Sequence, residues 1–552
     1  MKIKPIAACV AMSLAVASGM ACATVTLTGA DLTQDQAWRV AKGEEVAISK
    51  AAMKQVTDSN RLVMAAARHG VEIYGLTTGV GLNKDHHLFN EKGEMTEEAQ
   101  KASIAFNRNI LRSHSAGYGP ALPTEIARLS MVIRLNTLLT GRSGAQPRVA
   151  ELYRDMLNKG VTPVIPTRGS IGDADITLAS HVGSVMIGEW KAEVDGKVMS
   201  GADALKAKGI EPLVPHGKDG LAILSTNSVG VAMTMDAMRT MRQMLKVSPL
   251  VYGLTLEGMN GNVAPFLAQT VNSHPLPGLQ DAAAQVRDTL KGSYLWEFDK
   301  TRPLQDPLSF RTTVYTLAEA QRALKELDEL VDIQINSSDD NPGVILNASK
   351  EDAEKSQVKQ YFVDVDGVKG AIIPSANFEP LPIAIAAQRA TISLAHVAHN
   401  SLHRTMRLDD PTFSGLSRYL AGPSNVFGHA FGATEDSMVS VYAENIELAN
   451  PVSMHSTPVE GNIEDSASNL PRVAERLKRA SNNLFDLYAM ELLHNTQAID
   501  LRKAKQSNVK LASKTNELYT AYRKHVPFVD MDRQYSGDLE FGAKLLKNWK
   551  VK

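Results

Sequence analysis

Apolar residues recur at three- and four-residue intervals across Pro382 to Met406 and Ser466 to Asn495, runs of about 25 residues or longer. Helices of that length cannot wrap around a small core. They pack side by side in bundles, often across subunits. The same spacing marks Ala51 to Ala67, Glu97 to Arg112, Thr124 to Leu139, Val229 to Met244, Thr316 to Val331 and Glu435 to Leu448. Alternating runs at Lys191 to Val198 and Tyr361 to Ile373 suit small hairpins. The expected class is therefore all-α with minor β, a long-helix bundle that self-associates. No tandem repeat or low-complexity segment interrupts it.

Lys2 and Lys4 precede an apolar run from Ile6 to about Val16, and Ala21-Cys22-Ala23 has the small-x-small form of a leader-peptidase site. A signal peptide over 1–23 with cleavage after Ala23, and a periplasmic or secreted protein, are the expectation. Both cysteines, Cys9 and Cys22, lie in that leader, so the rest has neither disulfides nor thiolate metal sites. Cys22 as a lipid anchor is disfavoured by Gly19, where such sites prefer Leu. Without Lys2 and Lys4 the 59 basic residues fall to 57 against 60 acidic ones, a net charge of -3 with no long run of either sign. Nothing in it argues for nucleic acid or an anionic membrane as partner. The chain then divides into an N-terminal active-site domain (24–220), a central long-helix bundle (221–505) and a C-terminal helical segment (506–552).

Glycine-rich polar loops punctuate the helices: Tyr74-Gly-Leu-Thr-Thr-Gly-Val-Gly81, Arg112-Ser-His114 with Gly117 and Gly119, Gly169-Ser-Ile-Gly-Asp-Ala-Asp175, Gln305-Asp-Pro-Leu-Ser-Phe-Arg311, Asn336-Ser-Ser-Asp-Asp-Asn-Pro342 and Ser375-Ala-Asn-Phe-Glu379. In a helical chain such loops are where chemistry is carried.

With NILRSHSAGYG, RLNTLLTGRSG, DITLASH and NIED, these loops resemble, in order and over nearly the whole chain, the aromatic amino acid lyases, the family of histidine, phenylalanine and tyrosine ammonia-lyases. The resemblance implies that family's long-helix bundle, a homotetramer whose active sites draw loops from several chains, and carbon-nitrogen lyase activity. It also implies a methylidene-imidazolone electrophile cyclised from an Ala-Ser-Gly tripeptide. Here Gly172 is followed by Asp173-Ala174 and then Asp175, one residue shorter and without the Ser or Gly that ring closure needs. Ser225 stands where the family has Asn, and Leu308 where it has Tyr. The cofactor is thus expected to be absent, as in ergothionase-like members.

An electrophile of that kind bonds the substrate nitrogen through its lone pair. A quaternary trimethylammonium has none and leaves unaided as neutral trimethylamine, so a histidine-type betaine, ergothioneine first, is the expected substrate, with thiourocanate as product. By resemblance Tyr74 is the base that takes the β-proton, Arg311 holds the carboxylate as a bidentate pair, and Gln305 orients that carboxylate or the amine. His114, Ser225 and Leu308 line the site. Glu464 faces the substrate ring, where a carboxylate suits an imidazole, although Asp465 and Ser466 also allow a plain helix start. Asp173 would attract a cationic head by charge and Phe378 by its ring face. Asp175 is explained equally well as the N-cap of the following helix.

Three alternatives compete. His396, His399 and His403 share one expected helix face at metal-ligand spacing, but no HExxH motif accompanies them, so no metal is expected. An ammonia-lyase or aminomutase acting on a free aromatic amino acid through another electrophile is the second. A binding relative that kept the pocket and lost the chemistry is the third, against which Tyr74, Gln305 and Arg311 all speak.

Overall fold

The computed structural model describes residues 24–80, 97–353 and 355–550. Gly81 of the first glycine loop and the leader lie outside them. The helices that shape the molecule are, in chain order, α1 (Lys50–Arg68), α2 (Glu97–His114), α3 (Thr124–Leu138), α4 (Ile176–Met186), α5 (Asp219–Leu224), α6 (Ser228–Met259), α7 (Thr313–Gln334), α8 (Leu381–Asp409), α9 (Gly432–Leu448), α10 (Leu470–Lys505) and α11 (Ser536–Asn548). One apolar core runs from Val25 to Leu546, and the expected 220/221 junction falls inside α5.

Three of the long helices run in the same direction. Leu470 at the start of α10 packs on Gly230 at the start of α6; Tyr488 Oη donates to Ser248 Oγ (2.9 Å) midway, and Arg502 Nε donates to Gly258 O (2.7 Å) at the end. α8 keeps step with them through Arg404, whose guanidinium bonds Glu491 of α10 at 2.8 and 2.9 Å in full burial. α7 and α9 return antiparallel: Thr313 meets Arg404 while Glu326 meets Arg389, and Thr434 meets His494 while Glu447 meets Arg476. The bundle therefore has a near end, where α6, α8 and α10 begin, and a far end.

Two boundaries differ from the periodicity. α6 extends 15 residues past Met244 and passes through Pro249. Proline deletes one ladder bond, but Val247 to Met259 is entirely buried and the packed face holds the helix together. α10 begins at Leu470 and not at Ser466, because Asn469 is left-handed (φ 53°) and Pro471 occupies the first turn, where its missing N–H costs nothing. The hairpins form as expected, Lys191–Val194 with Lys197–Ser200 and Phe362–Val365 with Val368–Ile373; Gly343–Leu346 adds a third strand to the second. α8 is long and apolar enough to cross a bilayer, yet 61% of its apolar window is buried against its neighbours, as in a core helix.

Candidate active site

At the near end a cleft of about 560 Å³ opens between the loops. Tyr74, His114, Asp173, Ser225, Phe378 and Glu464 all line it, so six of the nine expected site residues converge from six separate segments. Asn341, Thr177, Ser113 and Glu460 line it too and were not singled out from sequence. Asn341 had a signal, the polar Asn336–Pro342 loop; Glu460 had only its place in an acidic stretch.

Tyr74 is held by a tight turn. Ile73 N donates to Thr77 Oγ1 at 2.6 Å, and Gly75 has φ 74°, where a Cβ would run into Leu221 Cδ2. His114 ends α2, with Nδ1 2.9 Å from Ile110 O; the neutral ring then carries its proton on Nδ1 and keeps a lone pair on Nε2. Ser225 ends α5, in the turn Ser225-Thr226-Asn227 that opens α6. Asp339 fixes this turn by accepting from Thr226 Oγ1 and Asn227 N, both at 2.8 Å. Fully buried Arg134 of α3 in turn binds Asp339 and Asp340, each at 2.8 Å. Asn227 Nδ2 donates to Phe378 O at 2.5 Å, and Asn341 Oδ1 accepts from Ser375 N at 2.9 Å. One buried guanidinium thus anchors the segments carrying Ser225, Asn341 and Phe378; removing its partners would strand a buried charge.

The loop from Gly169 to Asp175 departs from one expectation. Asp175 occupies the N-cap position of α4 but makes no capping bond there. Its carboxylate instead accepts from Gly230 N (2.7 Å) in the first turn of α6 and from Ser170 Oγ (2.7 Å). The reason is geometric: Asp175 N is already drawn to Thr226 O at 2.7 Å, which turns the side chain toward α6. Burial pushes its carboxyl up to about 6 against those hydrogen bonds. Ala174 has φ 43° and Gly172 φ 79°; a Cβ on Gly172 would collide with Ser468 Oγ and the Leu470 amide. Asn469 N donates to Ile171 O at 2.6 Å and its side chain to Val452 O and His455 O, tying this loop to the segment that carries Glu460 and Glu464. Glu464 is therefore a cleft residue several positions ahead of α10, not part of a helix start.

The cleft is acidic. Asp173, Glu460 and Glu464 line it, and among the described residues no Lys or Arg does. Burial pushes Asp173 up to about 6. Burial first, then Asp173 and Glu460, push Glu464 up to about 7. Glu379, on the Phe378 loop, is raised by burial and by Asp173. Carboxyls this close hold their protons longer until a cation arrives.

Gln305, Leu308 and Arg311 are elsewhere. Asp306 accepts from Asn262 N (2.7 Å) beyond the last turn of α6, and Tyr252 Oη donates to Phe310 O (3.0 Å). The start and end of α6 lie about 45 Å apart at 1.5 Å per residue. All three residues are thus at the far end, with Gln305 exposed, Leu308 64% exposed, and Arg311 partly buried with Nε donating to Asp306 O at 2.7 Å. Among the three histidines on α8, the His399 and His403 rings are 4.3 Å apart and His399 Nδ1 lies 3.1 Å from Tyr442 Oη. Among the described residues no three His, Cys, Asp or Glu side chains converge on a metal position.

The sequence profile of aromatic amino acid lyases matches residues 32–524. The chain belongs to the aromatic amino acid lyase family. A histidine ammonia-lyase from Treponema denticola is 32% identical over 527 residues, covering 95% of this chain and 97% of that one. The crystal structure of an ergothioneine-degrading ergothionase from Treponema denticola, bound to desmethyl-ergothioneine sulfonic acid, superposes with a TM-score of 0.85 at 34% identity, over 95% of this chain and 99% of that one. Histidine ammonia-lyase from Trypanosoma cruzi, with a TM-score of 0.80 at 22% identity over 95% of this chain and 93% of that one, shares the fold. This lyase therefore has the expected helical class and the fold of the histidine ammonia-lyases.

Proposed function

We propose that this lyase eliminates trimethylamine from a histidine-type betaine, ergothioneine first, without a methylidene-imidazolone. The observation that carries the proposal is Asp173, a carboxylate in an acidic cleft, standing where the family builds that electrophile. The loop does not suit the electrophile. Between Gly172 and Asp175 there is no hydroxyl to eliminate, and the Asp175 nitrogen is committed to Thr226 O. The ligand of the similar ergothionase points the same way.

In the proposed reaction Tyr74, as phenolate, takes the β-proton, its electron pair forms the carbon-carbon double bond, and the carbon-nitrogen bond breaks to release neutral trimethylamine and an acrylate. Asp173 and Phe378 would receive the cationic head and Glu464 the ring N–H groups. Gln305 and Arg311 would reach the carboxylate from a second copy, within a homotetramer. Exposed Leu381, Ile385 and Ile392 on α8, and Val439 and Ile446 on α9, supply apolar faces for that association. Export through the leader belongs to the same proposal; Thr24 would then be the first residue of the purified protein.

Ergothioneine, its sulfur-free analogue, histidine, phenylalanine and tyrosine tested side by side decide the substrate. Trimethylamine from a betaine, with rising ultraviolet absorbance and an intact mass equal to that of the unmodified mature chain, is expected. Ammonia from a free amino acid with both betaines inert, or a mass short by two waters near residues 169–175, overturns the proposal.

A further inference from the structure

On the outer face of α6, away from the acidic cleft, a second cleft of about 470 Å³ lies between α6, α10 and α11. Its lining is Arg239, Thr240, Arg242, Gln243 and Lys246 of α6, Asn482 and Phe485 of α10, and Lys547 of α11: four cations, three polar side chains, one ring and, among the described residues, no carboxylate. Carboxylates just outside the lining match the two arginines, so the excess of positive charge rests on the two lysines.

The four cations are held differently. Arg239 is fixed by Glu125 and Asp236, each at 2.9 Å, and lies 4.0 Å over the Trp38 ring. Arg242 is fixed by Asp328 at 2.5 Å. Lys246 and Lys547 have no ion-pair partner among the described residues; Lys547 lies 5.7 Å from the Phe485 ring and is exposed, as is Lys246. Asp236 is shared with Lys478, and Asp486 feels Lys547 through space. Positions 239, 242 and 246 follow the helical repeat, so the α6 cations share one face over about 10 Å. That span exceeds a single phosphate and suits two or more anionic groups on one small molecule. A neighbouring cleft of about 750 Å³ shares Arg242 and Lys246 and adds Lys325 and Lys514, but it carries Asp281, Asp288 and Asp328, which offset most of its charge.

We propose that the Arg239–Lys547 cleft binds a small polyanion bearing two or more phosphate or carboxylate groups, with the guanidinium groups as a fixed floor and Lys246 and Lys547 closing on the ligand. The proposal is independent of the lyase substrate.

The test uses the full-length protein at low ionic strength, with pyrophosphate, citrate and inorganic phosphate titrated by calorimetry. Saturable one-to-one binding of pyrophosphate or citrate, at least about tenfold tighter than phosphate, is expected, and whichever is tighter identifies the anionic group. The double variant Lys246→Glu/Lys547→Glu should weaken it by more than about tenfold, Lys246→Gln/Lys547→Gln by less, and Lys359→Glu, a distant exposed charge, not at all. Absence of saturable binding by both polyanions, or binding that the double charge reversal leaves unchanged, overturns the proposal.

Discussion

The two ends of the bundle are chemically opposite. The near end concentrates Asp173, Glu460 and Glu464 around Tyr74 in a recessed cleft with no lining Lys or Arg among the described residues. The far end holds Gln305 on an exposed loop and Leu308 and Arg311 on the one-turn helix that follows it, Arg311 partly buried. A zwitterion needs both: carboxylates for its cationic nitrogen, a guanidinium for its carboxylate. Because α6 separates them by about 45 Å, one chain could satisfy only half of such a substrate. On the proposed reading each copy would carry two different half-sites, and the chemistry would belong to the pairing of unlike ends.

The largest effect is expected at the near end. Tyr74→Phe keeps the ring and its packing and removes only the oxygen proposed to accept the proton. Loss of a positioned base costs roughly 10²- to 10⁴-fold, so elimination should fall by that factor with unchanged helicity. Turnover within about tenfold of the parent would mean that another group takes the proton.

The far end should follow. Arg311→Ala should lower kcat/KM by about a hundredfold, chiefly through a higher Michaelis constant, because the proposed bidentate carboxylate contact would be lost. Neither variant alone tests the separation of the ends, but their mixture does. If a site takes Tyr74 from one chain and Arg311 from another, co-expressed Tyr74→Phe and Arg311→Ala subunits regain about a quarter of parental activity by random assembly. An inactive mixture whose chains co-purify would place both residues in one chain's site and end the comparison.

How this arrangement was legible differs by residue. The long helices came from periodicity, since nothing but a helix repeats apolar side chains at 3.6 over such lengths. Their ends did not, because burial carries α6 past Pro249 and a left-handed Asn469 delays α10. The motifs named Tyr74, Asp173 and Glu464, yet sequence order says nothing about which loops meet, and Gln305 to Arg311 proved remote from them within the chain. Asp175 was readable as a cap but not as the cap of a different helix, because that depends on where α6 begins in space. Arg134 opens the RLNTLLTGRSG motif, but its task was not readable there, since it arises from contacts 205 and 206 residues away in sequence.

A smaller effect distinguishes binding from catalysis inside the acidic cleft. As the trimethylammonium leaves it becomes neutral, so attraction by Asp173 is stronger in the ground state than in the transition state. Asp173→Asn should therefore raise the Michaelis constant for the betaine about tenfold while the turnover number stays level or rises. It should also flatten the gain in kcat/KM with pH, because Asp173, which ionises at about 6, must be charged to attract the cation. A fall in turnover number alone would make Asp173 part of the chemical step.

The smallest effect concerns stability and again separates the ends. Glu464 sits at about 7 against an ordinary value of 4.5, so the folded protein binds its proton more tightly than the unfolded chain does. The stabilisation this gives is complete below about pH 4.5 and is lost as the pH rises through about 7, leaving a penalty for holding the ionised group at pH 8. Glu464→Gln resembles the protonated carboxyl at every pH. The variant should thus match the parent in Tm near pH 4.5 and gain on it steadily up to pH 8. Glu464 is only partly buried, so solvent screening limits the gain to a few degrees. Arg311→Gln at the far end should show no such gain, since it relieves no carboxyl cluster and removes a cation that holds the buried Asp306 carboxyl down. Parallel melting curves for parent and Glu464→Gln across this range would mean that the cleft carboxyls do not burden one another, and the chemical contrast between the two ends would lose its electrostatic basis.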